Sequence, residues 1–186
     1  MSLTPSNMLP LGTYAPAFEL PDAVSGKKRS LANITSGKKA TVVMFICNHC
    51  PYVVHIIQKL VEVAKQYQEQ NIGFVAISSN NIIKYPEDAP DKMADFAQQY
   101  GFSFPYLYDE TQQIAKAYQA ACTPDFYVFN SDLHCIYRGR FDAATPGNGV
   151  PVTGKDLSQA LEAILANNPI VTTQLPSMGC NIKWKD

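Results

Sequence analysis

The chain has 186 residues, of which 46% are hydrophobic and 17% charged, and this composition excludes disordered and fibrous proteins. Fifteen basic residues nearly balance sixteen acidic ones, and the net charge of −1 argues against a nucleic-acid or membrane-surface partner. The length fits one domain spanning residues 1–186, with a core large enough to fold without disulfides or metal.

The first ten residues lack the basic region and apolar run of a signal peptide, and no apolar stretch approaches the roughly 20 residues of a membrane span. We therefore expect a cytoplasmic protein. Five cysteines stand at positions 47, 50, 122, 135 and 180. In a reducing compartment this odd number indicates reactive, metal-binding or buried thiols, and not a framework of structural disulfides.

The first half of the chain predicts a hairpin followed by a parallel βαβ unit. Residues 10–35 alternate short apolar pieces with turn formers, which is typical of a hairpin. The apolar, β-branched runs at 41–46 and 73–78 are typical of strands buried on both faces. Between them, over 51–70, apolar residues recur every three or four positions, as in an amphipathic helix.

The middle of the chain predicts two further helices. One covers about 90–100, and after an extended segment at 102–108 a second covers about 111–120, with Asp109 as its cap.

The last third predicts a hairpin, a loop, a helix and a tail. Strands at 126–130 and 133–137 are separated by a tight turn, and the Gly- and Pro-bearing stretch 142–152 is a loop. Thr153 with Asp156 resembles a capping box that begins a helix reaching about residue 167. The tail from 170 to 186 is predicted to be irregular.

The segment Cys47-Asn48-His49-Cys50-Pro51 carries the chemistry, because a C-x-x-C pair stands between a buried strand and the start of a helix. Free amide groups and the helix dipole favour a thiolate there, but the dipole contributes only about 0.3–1 kcal/mol. His49 can add a positive charge or a hydrogen bond to the Cys47 sulfur. Two other interpretations stay open: inert buried thiols, or half of a zinc site that Cys122, His55 or Cys180 would complete.

The sequence resembles the thioredoxin-fold superfamily, and within it a peroxiredoxin-like group close to the alkyl hydroperoxide reductase/thiol-specific antioxidant family. The segments that carry the resemblance are 12–22 (GTYAPAFELPD), Thr123-Pro124, the run from Arg138 through 142–152, and 179–185 (GCNIKWK). The resemblance implies an α/β fold in which a mixed central sheet has helices on both faces, with an N-terminal β-hairpin added. It also implies a cis-proline loop at Thr123-Pro124 that binds the substrate, and no cofactor.

The departures from the family pattern favour disulfide exchange. In the peroxiredoxin pattern P-x-x-x-T-x-x-C, this chain has Val43 at the proline, Cys47 at the threonine and Cys50 at the peroxidatic cysteine. Pro124 falls near the usual arginine, and Arg138 or Arg140 lies too far along the chain to replace it. The strand 41–46 contains no Asp or Glu, so the buried carboxylate of thioredoxin has no evident counterpart.

We therefore predict a thiol–disulfide oxidoreductase in which Cys47, as the more exposed sulfur, attacks and Cys50 resolves, with His49 tuning the pKa. Alternatives are a thiol-dependent peroxidase with Cys50 as the peroxidatic cysteine, or a redox-sensing or metal-binding protein without turnover. Cys122 and Cys180 are possible auxiliary thiols. The expected partners are a protein or small-molecule thiol or disulfide and a reducing thiol system, with an antioxidant role and a homodimer possible by analogy.

Overall fold

The computed structural model describes residues 3–186, in which ten strands and five α-helices follow one another. The strands are β1 (Leu3–Pro5), β2 (Glu19–Pro21), β3 (Lys28–Ser30), β4 (Ala40–Phe45), β5 (Ile72–Ser78), β6 (Tyr106–Tyr108), β7 (Cys122–Thr123), β8 (Asp125–Asn130), β9 (Cys135–Gly139) and β10 (Met178–Asn181). The helices are α1 (Leu31–Thr35), α2 (Pro51–Gln68), α3 (Pro90–Tyr100), α4 (Gln113–Ala117) and α5 (Lys155–Leu165), with a short 3-10 helix at Pro86–Asp88. None of these helices has the length and apolar character needed to cross a membrane.

The central sheet has the strand order β6-β5-β4-β8-β9. β4 lies in the middle, parallel to β5 and antiparallel to β8, so the sheet is mixed. Its side chains alternate between two apolar clusters, as the pleat of a strand requires. Met44 packs on one face with residues of α2, α3 and α5, and Phe45 packs on the other with residues of α1 and α4.

The predicted βαβ unit is confirmed. Its signals are local, since continuous apolar runs are typical of buried strands and a 3.6-residue period is typical of a helix. The boundaries of β4, α2 and β5 agree with the predicted ones to within two residues. The helix at Pro90–Tyr100 and the antiparallel pair β8–β9 are also confirmed. The N-terminal hairpin is formed by β2 and β3, which pair antiparallel.

Two predicted helix starts are wrong in detail. The helix predicted over 111–120 covers only Gln113–Ala117, and its N-cap is Gln112. Asp109, the predicted cap, lies before the N-cap, and its carboxylate accepts the backbone N–H of Ala115. α5 begins after Gly154 without a side-chain cap. Its predicted capping box is absent because the N-cap is Gly154 and not Thr153, and Asp156 pairs with Arg140 instead.

The C-terminal segment is the largest correction, because residues 178–181 form strand β10 where an irregular tail is predicted. β10 lies between β1 and β7 and pairs antiparallel with both. The four residues MGCN carry no periodic signal, and their partners lie more than 50 residues away along the chain, so only the tertiary structure defines this strand. β10 brings the segment after residue 170 against the loop that contains Thr123.

Gly179 makes this close approach possible. A Cβ atom at Gly179 would lie 2.0 Å from the carbonyl oxygen of Thr123, which no side chain can do without moving the backbone. We expect Gly179→Ala to lower the free energy of unfolding by about 3 kcal/mol, measured by urea denaturation. Met178→Ala on the same strand is the control, since Met178 is 38% exposed and its loss should cost less than about 1 kcal/mol. Equal effects of the two substitutions would contradict the packing argument.

Candidate active site

The C-x-x-C pair lies where β4 ends and α2 begins. Cys50 is the N-cap of α2, its carbonyl accepts hydrogen bonds from the backbone N–H groups of Val53 and Val54, and Pro51 occupies the first turn. Proline is suited to that place because its missing N–H would have no partner within the helix. Both sulfur-bearing residues are buried, Cys47 with 1% and Cys50 with 0% exposure. Exposure therefore does not distinguish the two cysteines, although Cys47 is predicted to be the more exposed.

The loop that contains Thr123 and Pro124 packs directly against both sulfurs. The peptide bond between these residues is cis, as the resemblance implies. Sγ of Cys47 lies 3.4 Å from Oγ1 of Thr123, and Sγ of Cys50, in its thiol form, donates to the carbonyl oxygen of Thr123 at 3.3 Å. Thr123, more than 70 residues away in sequence, thus contacts both sulfurs of the pair.

The two neighbouring thiols shift each other's pKa in opposite directions. A hydrogen bond from the Cys47 thiol is the largest cause that lowers the pKa of Cys50, to about 5 against the opposing effect of burial, and the thiol and backbone N–H of Cys180 add to it. The same hydrogen bond to Cys50, together with burial, raises the pKa of Cys47 well above its usual range. Of the two sulfurs, Cys50 is therefore the one whose thiolate form is favoured.

His49 binds a carboxylate that sequence reasoning missed. Its Nδ1 lies 2.6 Å from Oδ2 of Asp88, a residue with 0% exposure, and no hydrogen bond joins it to Cys47. The hydrogen bond to Asp88 raises the pKa of His49 above 6.5. The predicted positive charge beside the pair is thus favoured, but it is balanced by the Asp88 carboxylate. No motif around the 3-10 helix at Pro86–Asp88 indicates this partner.

Asp88 also holds the backbone of the segment between the cysteines. Its Oδ1 accepts the N–H groups of Asn48 at 2.8 Å and His49 at 3.4 Å, and its Oδ2 accepts the side-chain amide of Asn80 at 2.8 Å. Tyr106 donates from its hydroxyl to the side-chain oxygen of Asn48 at 3.0 Å. The turn that presents both sulfurs is therefore fixed by buried polar groups from three other segments.

A sulfur of Cys47, a ring nitrogen of His49 and a carboxylate oxygen of Asp88 lie within 4.8 Å of one another. This is the combination of ligand types that zinc uses, but none of the predicted completing residues, Cys122, His55 or Cys180, belongs to it. Both oxygens of Asp88 already accept hydrogen bonds, so a metal would displace them. The cluster is organised as a hydrogen-bond network.

The remaining three cysteines are all buried, and they differ in the groups that their thiols face. Cys122 is buried, and its thiol is directed at the carbonyl oxygen of Pro124 at 3.8 Å. Cys180 lies on β10 with its thiol and N–H toward Cys50. Cys135 packs in the cluster on the other face of the sheet, where its thiol donates to the carbonyl oxygen of Tyr137.

Comparison with known proteins gives this geometry a context. The sequence matches the AhpC/TSA family over residues 11–138. The chain belongs to the AhpC/TSA family. Members of this family are typically thiol-dependent oxidoreductases or peroxidases, and the family suggests a thiol or disulfide substrate and a reducing system.

Solved structures confirm the thioredoxin-like fold of this AhpC/TSA member. An uncharacterized conserved protein from Geobacillus kaustophilus is 51% identical, with a TM-score of 0.97 over 100% of this chain and 97% of its own. A hypothetical protein from Sinorhizobium meliloti 1021 is 46% identical, with a TM-score of 0.95 over 98% of each chain. Peroxidoxin BcpB from Mycobacterium tuberculosis is similar in fold, with a TM-score of 0.63 at 20% identity over 84% of this chain and 96% of its own.

At the sequence position predicted for the peroxide-binding arginine of AhpC/TSA peroxidases this chain has Pro124, although Arg140 lines the cavity beside Pro124. The three arginines of the chain all contact other groups: Arg29 pairs with Asp22, Arg138 donates to the carbonyl oxygen of Leu9, and Arg140 pairs with Asp156. Pro124, at the position predicted near that arginine, contributes the cis bond instead.

Proposed function

We propose that the protein is a thiol–disulfide oxidoreductase that exchanges disulfides through Cys47 and Cys50. The observation that carries this proposal is the pair of buried sulfurs at the start of α2, with Thr123 of the cis-proline loop in contact with both. A pair in which one thiol has a lowered pKa is suited to form and break a disulfide, because the thiolate is the attacking species.

The reaction needs no cofactor. The thiolate of one cysteine attacks a substrate disulfide, forms a mixed disulfide and releases one substrate thiolate. The second cysteine then attacks the mixed disulfide, which closes the Cys47–Cys50 bond and releases the other substrate thiolate. Two electrons pass to the substrate, and in the proposal a second thiol system of the cytoplasm returns two electrons to the pair.

The order in which the two cysteines act depends on which sulfur carries the proton. With the proton on Cys47, the attack predicted for Cys47 requires that this proton first pass to Cys50 along the hydrogen bond between them. The Asp88 carboxylate disfavours a Cys47 thiolate by raising the pKa of Cys47, and the imidazolium of His49, within 4.8 Å of the Cys47 sulfur, offsets that negative charge. In the proposal Cys47 is the attacking thiol and Cys50 is the resolving thiol.

A small cavity lies beside the cis-proline loop and the first turn of α2. Tyr52 of α2, Pro124, Arg140 and Met178 line it, and its volume is about 70 Å³. In the proposal a substrate lies against the cis-proline loop at this cavity.

The reduction of insulin disulfides in the presence of dithiothreitol tests the function. We expect the wild-type protein to accelerate it and Cys47→Ser to lose at least about 100-fold in rate, because no intramolecular disulfide between the pair can then form. Cys135→Ser is the matched control, since Cys135 is equally buried but lies on the other face of the sheet, and it should retain the wild-type rate. Full activity in Cys47→Ser would refute the assignment.

A second candidate, a thiol-dependent peroxidase, is favoured by the lowered pKa of Cys50, which occupies the peroxidatic position of the family pattern. The pairing of each of the three arginines with another group weighs against it. Consumption of hydrogen peroxide at a rate above that of insulin reduction would favour the peroxidase. Tightly bound zinc in the purified protein without turnover in either assay would favour a metal-binding, non-enzymatic role.

A further inference from the structure

The sulfur of Cys50 has a second thiol neighbour besides Cys47. β10 pairs with β7 so that Cys180 lies opposite Thr123, the residue whose carbonyl contacts the Cys50 sulfur. The thiol and the backbone N–H of Cys180 are both close enough to that sulfur to lower its pKa. Cys50 thus has two thiol neighbours, Cys47 and Cys180.

The packing of β10 fixes this arrangement. Gly179 lies so close to the Thr123 carbonyl oxygen that no side chain fits between them. After the strand, the N–H of Ile182 donates to the carbonyl oxygen of Ala121 at 2.9 Å. Cys180 is 4% exposed and belongs to the same apolar cluster as Cys47 and Cys50. Its position beside Cys50 is therefore part of the core and not a chance approach of a loose tail.

The other cysteines are less suited to react with Cys50. The Cys122 thiol is directed at the carbonyl oxygen of Pro124, and Cys135 lies across the sheet.

We propose that Cys180 is a second resolving thiol, which reacts with mixed disulfides that form on Cys50. The Cys180 sulfur attacks the Cys50 sulfur, and a Cys50–Cys180 bond forms as the bond from Cys50 to the substrate sulfur breaks. The electron pair leaves with the substrate thiolate, which takes up the proton that Cys180 gives up, so no further oxidant is needed. The proposal rests on the proposed exchange function and adds an alternative disulfide to it.

This second route has a distinct consequence. Once Cys50 is bonded to Cys180, Cys47 is a free thiol without its resolving partner, and exchange stops until a reductant opens the bond. Because burial raises the pKa of Cys180 to about 12, few molecules carry the Cys180 thiolate at neutral pH, and the bond forms slowly compared with Cys47–Cys50. Cys180 thus acts when Cys47 cannot.

The test uses the full-length Cys47→Ser variant with oxidised glutathione, followed by mass spectrometry of the intact and digested protein. We expect glutathione to be released from Cys50 as the Cys50–Cys180 link forms, at least about tenfold faster than from a Cys47→Ser/Cys180→Ser variant, which should keep the adduct. Cys47→Ser/Cys122→Ser is the matched control and should behave as Cys47→Ser alone. Circular dichroism checks that each variant folds.

Persistence of glutathione on Cys50 with Cys180 unbonded would overturn the proposal, and so would dependence of the release on Cys122. If Cys50 takes up no glutathione, the small oxidant diamide replaces it, and the proposal fails if no Cys50–Cys180 link forms then either. Insulin reduction by the wild-type protein is measured in parallel. Activity without the link refutes only the second resolving thiol, and the link without activity refutes only the proposed exchange function.

Discussion

Replacement of Asp88 by asparagine is expected to lower the free energy of unfolding at pH 6 by about 3 kcal/mol, because it leaves a buried ion pair without its anion. Asp88 is fully buried, and it accepts hydrogen bonds from His49, Asn48 and Asn80. An amide at this position presents a donor to the groups that now donate to Oδ2. Urea denaturation measures the loss, and the imidazole titration of His49 by NMR should show a lower pKa in the variant.

The pH dependence of this loss follows from both partners. The pKa of His49 is raised above 6.5, so its contribution is complete below pH 6.5 and is lost as the pH rises through the raised value. The pKa of Asp88 is lowered below 3.8, so its contribution is lost only as the pH falls through that lower value. The variant should therefore differ most from the wild type between about pH 4 and 6.5.

The exposed Asp91 supplies the control for this experiment. Its side chain is 71% exposed, and Asp91→Asn should change the stability by no more than about 0.5 kcal/mol at any pH. An Asp88→Asn variant as stable as Asp91→Asn would show that the carboxylate does not hold the segment between the cysteines.

The centre of the fold and the reactive pair could be predicted because their signals are local. The run 41–46 is uniformly apolar and the period of 51–70 is helical, so the position of Cys47 and Cys50 between strand and helix follows from a stretch of about 30 residues. The proximity of Thr123 to the sulfurs could be predicted only from the family resemblance, because nothing in the residues near 123 indicates contact with residue 47.

The polar support of the site could not be predicted, because it depends on contacts across long separations in sequence. Asp88 stands in a loop after β5, in a Pro-Glu-Asp stretch that is typical of any exposed turn, yet it is buried under the active-site segment. Cys180 stands on a strand that exists only because β1 and β7 flank it. Both residues obtain their roles from the tertiary structure, and single-sequence patterns carry no information on such pairings.

A second carboxylate escaped prediction for the same reason. The strand 41–46 contains no acidic residue, but Asp125 stands on the neighbouring strand β8, directly opposite Phe45 and immediately after the cis-proline. It has 0% exposure, and it accepts hydrogen bonds from the hydroxyl of Tyr127 at 2.8 Å and from the N–H of Phe126 at 3.1 Å. A search limited to one strand could not find a buried acid that the adjacent strand supplies.

Asp125→Asn is expected to stabilise the protein at pH 8 and to leave its stability nearly unchanged at pH 4. Burial raises the pKa of Asp125 to about 7 from 3.8, despite the opposing hydrogen bond from Tyr127. Between these values the unfolded chain has released the proton that the folded chain still holds, so stability falls as the pH rises and levels off above 7. At about 1.4 kcal/mol per pKa unit the total loss is on the order of 4 kcal/mol, and the neutral amide avoids it.

Urea denaturation of both proteins from pH 4 to pH 8 measures this difference directly, because pH effects from His49 and Asp88 are common to both and cancel. Asp132→Asn, in the exposed turn after β8, is the control and should follow the wild-type profile. A constant difference between Asp125→Asn and wild type across this range would mean that Asp125 ionises equally in the folded and unfolded chains. A difference that grows with pH would instead establish that the chain keeps a protonated carboxyl group directly after the cis-proline, in the loop whose Thr123 contacts the reactive cysteines.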